Sequence, residues 1–140
     1  MPSCWLTTHQ RVQTAARLRP DAYRDTPTAT VAAATVLCAW SHPGRCRHEA
    51  AFASLAGTAP IPASSGRTTG RVRLNPGGDR TLNAAIHTIV LSRLRWDPET
   101  IAYRDRRRTE GKPDRETRRC LKRYITRQLF RQLNHPLDNP

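Results

Sequence analysis

Apolar residues recur at helical spacing through the second half of the chain. In the best-defined stretch, Asp79 to Trp96, they stand three and four residues apart and share one face: Leu82, Ala85, Ile86, Ile89, Val90 and Leu94. Gly77 and Gly78 precede this stretch, and Asp79 is a suitable N-cap. We predict an amphipathic helix here, with its apolar face forming the main part of the hydrophobic core.

Two further helices are predicted after Trp96. Asp97, Pro98 and Glu99 provide a capping carboxylate, a proline at the first helical position and an acid in the first turn. This helix runs to about Thr109. The last helix covers about 113–134, and its apolar positions again share one face: Leu121, Tyr124, Ile125, Leu129 and Leu133.

A short apolar helix is predicted earlier in the chain, from His48 to Ala56, with Gly57 as its left-handed cap. Residues 58–76 follow as a loop rich in proline and glycine, in which residues 71–74 alternate polar and apolar as a short strand does. The predicted fold is therefore mainly α: a small domain of about four helices, with a basic loop or short hairpin between the first two.

The N-terminal part gives weaker signals. Residues 1–47 contain scattered prolines and an alanine- and threonine-rich middle, which predict an irregular N-terminal arm. Within it, Val31 to Trp40 is compatible with either a buried helix or a strand, because periodicity does not separate the two. The expected organisation is an arm over 1–47, the helical domain over 48–134 and a tail over 135–140.

The charge of the chain is strongly positive. Lysine and arginine total 24 against 11 acids, a net charge of +13, and only Lys112 and Lys122 are lysines. Residues 66–134 hold 18 of the bases and 7 of the acids, a net of +11, so the charge lies with the predicted helical domain. Arginine grips phosphate with two hydrogen bonds, so nucleic acid is the expected partner rather than a membrane. GC-rich coding DNA would also raise the arginine content.

The lack of targeting signals and the pattern of cysteines indicate the cellular location of the protein. No apolar run approaches the ~20 residues of a membrane span, and residues 1–10 do not form a secretion signal. We therefore expect a cytoplasmic protein with reduced cysteines. Cys38, His42, Cys46 and His48 cluster, but their spacing matches no standard zinc pairing, so no metal is predicted.

The loop after the first predicted helix offers candidate chemistry. Ser64 and Ser65 precede Gly66, and four arginines follow: Arg67, Arg71, Arg73 and Arg80. A serine hydroxyl beside a phosphodiester, with arginines neutralising the phosphate oxygens, is the minimum for a covalent phosphoserine intermediate. From this pattern alone, however, a polar hairpin on a basic face remains the favoured interpretation.

A set of landmarks gives that loop a more specific meaning. Residues 45–134 resemble the DEDD-type insertion-sequence transposases, described as bridge-RNA-guided serine recombinases, in the order and spacing of short segments. These segments are 49–60, 64–66, 77–80, 82–85, 96–98, Tyr103, 110–112 and 119–124.

The resemblance implies a two-part enzyme. An N-terminal RuvC-like domain carries four acids that bind magnesium, and a helical linker leads to a C-terminal domain whose serine, just before a glycine, attacks DNA. Carried over to this chain, the nucleophile is Ser65, with Ser64 as the less favoured choice. The loop arginines Arg67, Arg71, Arg73 and Arg80 would contact DNA. Expected partners are DNA, a guide RNA, and a second copy or an intact transposase.

The chain also departs from that family. Only Asp21, Asp25 and Glu49 precede the serine loop, too few for a four-carboxylate site, and the long linker is lacking. We therefore expect a truncated copy with no cofactor of its own, magnesium belonging to the missing domain, and no transposition by the chain alone. The alternatives are a non-catalytic, basic nucleic-acid-binding protein and a remnant without function.

Three other features leave two interpretations each. His87 suits a base or a phosphate ligand, although a partly buried or solvated histidine is favoured. For Tyr103 and Tyr124, core or rim packing is favoured over a nucleophilic role. The run 106–108 of three arginines fits phosphate contact and a solvated helix end equally well.

Overall fold

The computed structural model describes residues 27–63, 66–67, 70 and 72–134. In this part of the chain the elements are α1 Pro27–Trp40, α2 Glu49–Leu55, β1 Pro60–Pro62, β2 Val72–Leu74, α3 Arg80–Trp96, α4 Pro98–Thr109 and α5 Asp114–Asn134. The predicted class is confirmed: a mainly helical domain with a short hairpin after the 48–56 helix. It has five described helices rather than about four. The expectations for residues 1–26 and for the 135–140 tail lie outside the described residues.

Helix α1 replaces part of the irregular arm expected over 1–47, and it decides between the helix and the strand that the sequence left open for Val31 to Trp40. Pro27–Trp40 is helical, and it packs along α3. Ala32, Val36 and Trp40 are buried at a spacing of four residues, which aligns them on one face. The sequence did not choose between the two because alanine and threonine give little contrast between the two faces of a helix, so the buried side is evident only from the packing against α3.

Helix α2 agrees with the prediction for residues 48–56. His48 is its N-cap, and the Nδ1 atom of His48 accepts a hydrogen bond of 3.1 Å from the backbone of Ala51. Gly57 follows the helix with φ +64°, the left-handed conformation expected of it. His48, one of the four residues of the Cys/His cluster, is therefore part of a helix cap.

The hairpin consists of two three-residue strands in antiparallel register, with Ile61 opposite Arg73. The strand predicted at 71–74 is confirmed over Val72–Leu74. Its partner was not predicted, because Pro60 and Pro62 both lack the N–H group that a central strand needs. A two-stranded sheet has only edge strands, which accommodate proline.

The C-terminal helices follow the predicted boundaries closely. Asp79 caps α3, since its carboxylate accepts hydrogen bonds from the backbones of Thr81 and Leu82 at 2.8 and 3.0 Å. Asp97 differs from the prediction: it occupies the N-cap position of α4, but its carboxylate accepts from the Thr100 hydroxyl and makes no backbone cap.

The core forms between α1, α2, α3 and α5. Its cluster comprises Ala32, Val36, Trp40, Phe52, Ala56, Leu82, Ala85, Ile86, Ile89, Val90, Leu121, Ile125, Leu129 and Leu133. The predicted apolar faces of α3 and α5 are confirmed except at two positions. Leu94 is only partly buried, and Tyr124 is 61% exposed, so Tyr124 is not a core residue. Tyr103 is half-buried and packs at the margin of this cluster.

Candidate nucleic-acid interface

The hairpin is fixed to the end of α2 by a close approach of two glycines. A Cβ atom added to Gly78 would lie 2.3 Å from the backbone nitrogen of Gly57, so only glycine fits there. Next to this crossing, the backbone N–H of Asp79 donates to the carbonyl of Leu55 at 2.7 Å. These contacts hold the start of α3 against the end of α2.

Asn75 joins the second strand to the same place. Its Nδ2 atom donates to the carbonyl of Ser54 at 3.1 Å, and its Oδ1 atom accepts from the backbone of Gly77 at 3.0 Å. The backbone N–H of Asn75 also donates to the carbonyl of Ala59 at 3.2 Å. The base of the hairpin is thus anchored on both strands.

Asn83 links three elements on the other side of this base. Its Nδ2 atom donates to the carbonyl of Ala56 at 2.7 Å, just after α2. Its Oδ1 atom accepts from the ammonium group of Lys122 on α5, also at 2.7 Å. Because Asn83 itself lies in the first turns of α3, one amide orients α2, α3 and α5 relative to each other.

A groove of about 410 Å³ opens between the hairpin base, α3 and α5. We call it the basic groove, and its charged and polar side chains are Arg80, Asn83, His87 and Lys122. Arg80, Asn83 and His87 stand at intervals of three and four residues on α3, so they share one face of the helix. Gly57 and Gly78 form part of the wall, and because they have no side chains they leave the groove open.

The groove is an unfavourable place for positive charge in the free protein. Burial lowers the pKa of Lys122 below its ordinary value. Burial also lowers the pKa of His87, and the positive charges of Lys122 and Arg118 lower it further. The Nδ1 atom of His87 is buried with no hydrogen-bond partner among the described residues. No carboxylate contributes to either shift.

The predicted site residues are placed differently from one another. Arg80 lines the basic groove, whereas Arg73 lies on β2 and Arg67 follows Gly66, and neither of these two lines it. All three guanidinium-bearing residues are exposed. Ser64, Ser65 and Arg71 lie outside the described residues.

Two residues of the groove were missed in the sequence. Asn83 and Lys122 both fall within segments that carry the family resemblance, and Lys122 is one of only two lysines in the chain. Those signals were available, but they do not show that the two side chains meet, since 39 residues separate them. His87, which was considered as a phosphate ligand, is half-buried within the groove.

The three arginines at 106–108 have carboxylate partners around the turn between α4 and α5. Arg108 makes a two-pronged contact with Asp114, at 2.8 Å from Nε and 2.7 Å from Nη2. Arg107 contacts Glu110 at 2.6 Å and Glu116 at 3.3 Å. Much of the charge of this run is therefore neutralised within the protein.

Two classes of site are not found in the described part of the chain. No three or more His, Cys, Asp or Glu side chains there are grouped to hold a metal ion. Across the same stretches, no helix combines the length and the apolar character needed to cross a membrane.

Comparison with known proteins gives one family match. The family described as Transposase IS116/IS110/IS902 matches residues 28–105, from α1 into α4. The chain is also 37% identical over 90 residues to the insertion element IS900 uncharacterized 42 kDa protein of Mycobacterium paratuberculosis. That alignment covers 64% of this chain and 23% of the relative, so the chain spans about a quarter of the relative's length. No solved structure matches the chain.

Proposed function

Because the chain belongs to the IS116/IS110/IS902 family of transposases, we propose that it is the DNA-binding, serine-bearing part of an insertion-sequence transposase. The Ser65 hydroxyl loses its proton and attacks the phosphorus of a DNA phosphodiester. A phosphoserine ester forms, and the displaced sugar oxygen takes up a proton. Attack by a sugar hydroxyl on the phosphoserine then releases Ser65 and rejoins the strands. Ser64 is the alternative nucleophile.

The charge distribution is the observation that carries this proposal. Arg67, Arg73 and Arg80 follow the serines in the chain, are exposed, and have no ion-pair partner among the described residues. The arginines at 106–108, in contrast, are paired with carboxylates. An arginine that is exposed and not paired with a carboxylate is available to bind a DNA phosphate. We therefore assign Arg67, Arg71, Arg73 and Arg80 to DNA contact.

The chain by itself is proposed to be inactive in transposition. The family resemblance assigns magnesium to four acids of an N-terminal RuvC-like domain, and the described residues contain no comparable group. No step of the proposal therefore passes through a metal held by this chain. A guide RNA and a second transposase subunit complete the proposed assembly.

Covalent trapping of DNA tests the nucleophile. The chain is mixed with labelled DNA containing insertion-sequence ends, alone and with a full-length family member whose own nucleophilic serine is replaced by alanine. A covalent adduct of the size of this chain is expected on denaturing gels. Ser65→Ala should remove it, while the neighbouring Ser64→Ala should retain it, and both variants should bind DNA as the unchanged chain does.

Other outcomes lead to other conclusions. An adduct lost only in Ser64→Ala would move the nucleophile by one residue, and an adduct that survives both changes would refute serine chemistry. Binding without any adduct, even with the helper protein, would favour the second candidate, a non-catalytic nucleic-acid-binding protein. That candidate draws on the same unpaired arginines but does not need a serine at position 65.

A further inference from the structure

The basic groove gathers positive charge without an internal counter-charge. The cations Arg80 and Lys122 line it beside the imidazole of His87, and the positive charge of Arg118 is near enough to act on His87. Like charges brought together in a partly buried place repel one another, and burial adds a desolvation cost. A protein keeps such a cluster at the expense of its own stability, which is typical of binding sites.

Lys122 is oriented in this groove rather than simply exposed to it. The Oδ1 atom of Asn83 accepts a hydrogen bond from the ammonium group of Lys122 at 2.7 Å. The Nδ2 atom of Asn83 in turn donates a hydrogen bond to the carbonyl of Ala56. An ammonium group has three donors, so two remain for a ligand. A cation that is already held in place loses less conformational freedom when an anion binds.

His87 adds a second group with unused hydrogen-bonding capacity. Its Nδ1 atom is buried and has no partner among the described residues, so a ligand in the groove would meet the other part of the imidazole ring. His87 lies one turn after Asn83 on the same face of α3, and Arg80 lies one turn before it. The backbone N–H groups of Thr81 and Leu82 are not available to a ligand, because the carboxylate of Asp79 accepts a hydrogen bond from each of them.

We propose that the basic groove is a phosphate-binding site that takes one phosphodiester of a nucleic-acid backbone, with Lys122, Arg80 and His87 as its ligands and Asn83 positioning Lys122. The identity of the ligand as nucleic acid rests on the proposed function, but the site itself needs no chemistry at Ser65. A groove of about 410 Å³ has room for a phosphate together with its neighbouring sugars.

The presence of only two lysines makes a direct test available. Lys122 lies in the groove, and Lys112 is exposed at the turn between α4 and α5. With ¹³C-labelled lysine, the full-length chain gives two Cε signals, which the variant Lys122→Gln assigns. We expect addition of duplex DNA, an RNA hairpin of equal length, or inorganic phosphate to shift the Lys122 signal well before that of Lys112.

A matched pair of variants measures the contribution to binding. Lys122→Gln and Lys112→Gln remove the same charge from the same residue type. Lys122→Gln should weaken nucleic-acid binding about tenfold in fluorescence anisotropy, and the slope of log affinity against log salt should fall by about 0.9 for duplex DNA. Lys112→Gln should change affinity less than about twofold, because Lys112 lies outside the groove and is already paired with Glu116 at 3.7 Å on the surface.

Thermal unfolding separates a binding role from a structural one. Without ligand, Lys122→Gln loses the hydrogen bond to Asn83 but also removes a desolvated charge, so its melting temperature should stay close to that of the unchanged chain. A clear loss of melting temperature, combined with unchanged affinity of the folded variant, would show that Lys122 is structural and would overturn the proposal.

Duplex DNA, the RNA hairpin and inorganic phosphate also distinguish a failure of the groove proposal from a failure of the proposed function. If DNA or RNA binds while the Lys122 signal does not move, or moves only as Lys112 does, the groove proposal is refuted and the proposed function stands. If inorganic phosphate moves Lys122 but neither nucleic acid binds, the phosphate site is supported and the proposed function fails. A response to DNA alone or to RNA alone identifies the source of the phosphodiester.

Discussion

The hydroxyl of Thr58 donates a hydrogen bond to the hydroxyl of Thr126 at 3.2 Å, although 68 residues separate them in the chain. Both side chains are completely buried. The Thr126 hydroxyl donates in turn to the carbonyl of Lys122 at 2.7 Å. This buried pair joins the segment that leads into the hairpin to α5, the helix that supplies Lys122 to the basic groove.

Replacing either hydroxyl of this pair should destabilise the fold. Thr58→Val and Thr126→Val keep nearly the same shape, and each loses the bond of the pair together with a bond to a backbone carbonyl, of Ala53 and of Lys122 respectively. Each change should cost about 1 kcal/mol or more in the free energy of unfolding. The double variant should cost less than the sum, because the first change already breaks the shared bond. Denaturant unfolding of the four proteins measures this coupling, and strict additivity would contradict the contact.

The glycine crossing gives a second prediction, with a control in the adjacent residue. Gly78→Ala should destabilise the protein by about 1–3 kcal/mol, the usual range for overpacking, because its Cβ meets the backbone of Gly57. Gly77→Ala meets only Asn75 Oδ1 at 3.4 Å, an ordinary contact. Equal loss of stability in the two variants, measured by denaturant unfolding, would show that the crossing is not as close as described.

His87 should make stability depend on pH. Burial and the nearby charges of Lys122 and Arg118 lower the pKa of His87 below 6.5 in the folded state. As pH falls below 6.5, the unfolded state binds more protons, so the free energy of unfolding decreases until the folded-state pKa is reached. Above pH 6.5 this effect is absent.

Melting curves between pH 7 and pH 5 test that dependence. His87→Gln should lose less stability over this interval than the unchanged chain does. His42→Gln is the matched histidine substitution, at an exposed residue outside the groove. A profile for His87→Gln that coincides with that of the unchanged chain would mean that His87 takes up its proton as freely as in an unfolded chain.

Ion pairing should predict which arginines matter for nucleic acid. Arg67→Gln, Arg73→Gln and Arg80→Gln should each weaken DNA binding and lower the salt slope by about 0.9, because each removes a guanidinium available to phosphate. Arg108→Gln removes the same charge but one already held by Asp114, so its effect should be smaller. Anisotropy titrations at several salt concentrations provide the comparison, and an equally large effect at Arg108 would refute it.

Helices α3 and α5 were predictable because their signals are local. The carboxylate of Asp79 caps a backbone only two and three residues away, and the apolar spacing of α3 is visible in a single window of sequence. Gly111 likewise marks the turn after α4 with φ +76°. Such features depend on near neighbours, so the chain order is enough to recognise them.

Tyr124 shows where periodicity stops being informative. Its spacing places it with Leu121 and Ile125 near the apolar face of α5, yet it is 61% exposed. Periodicity gives the direction in which a side chain points, but not how far the neighbouring helix extends over it. For α1 the reverse happened: the spacing of Ala32 and Val36 carried little contrast, and packing against α3 gave it meaning.

The sequence by itself determined the helical character of 79–134, the caps of α2 and α3, the excess of arginine, and the family landmarks. Only the tertiary structure decided that Lys122 meets Asn83, that α1 covers α3, and that the arginines at 106–108 are occupied by carboxylates. The physical reason is the range of the interactions. Capping and amphipathic spacing act within a few residues, whereas the basic groove exists only where α2, α3 and α5 are packed together.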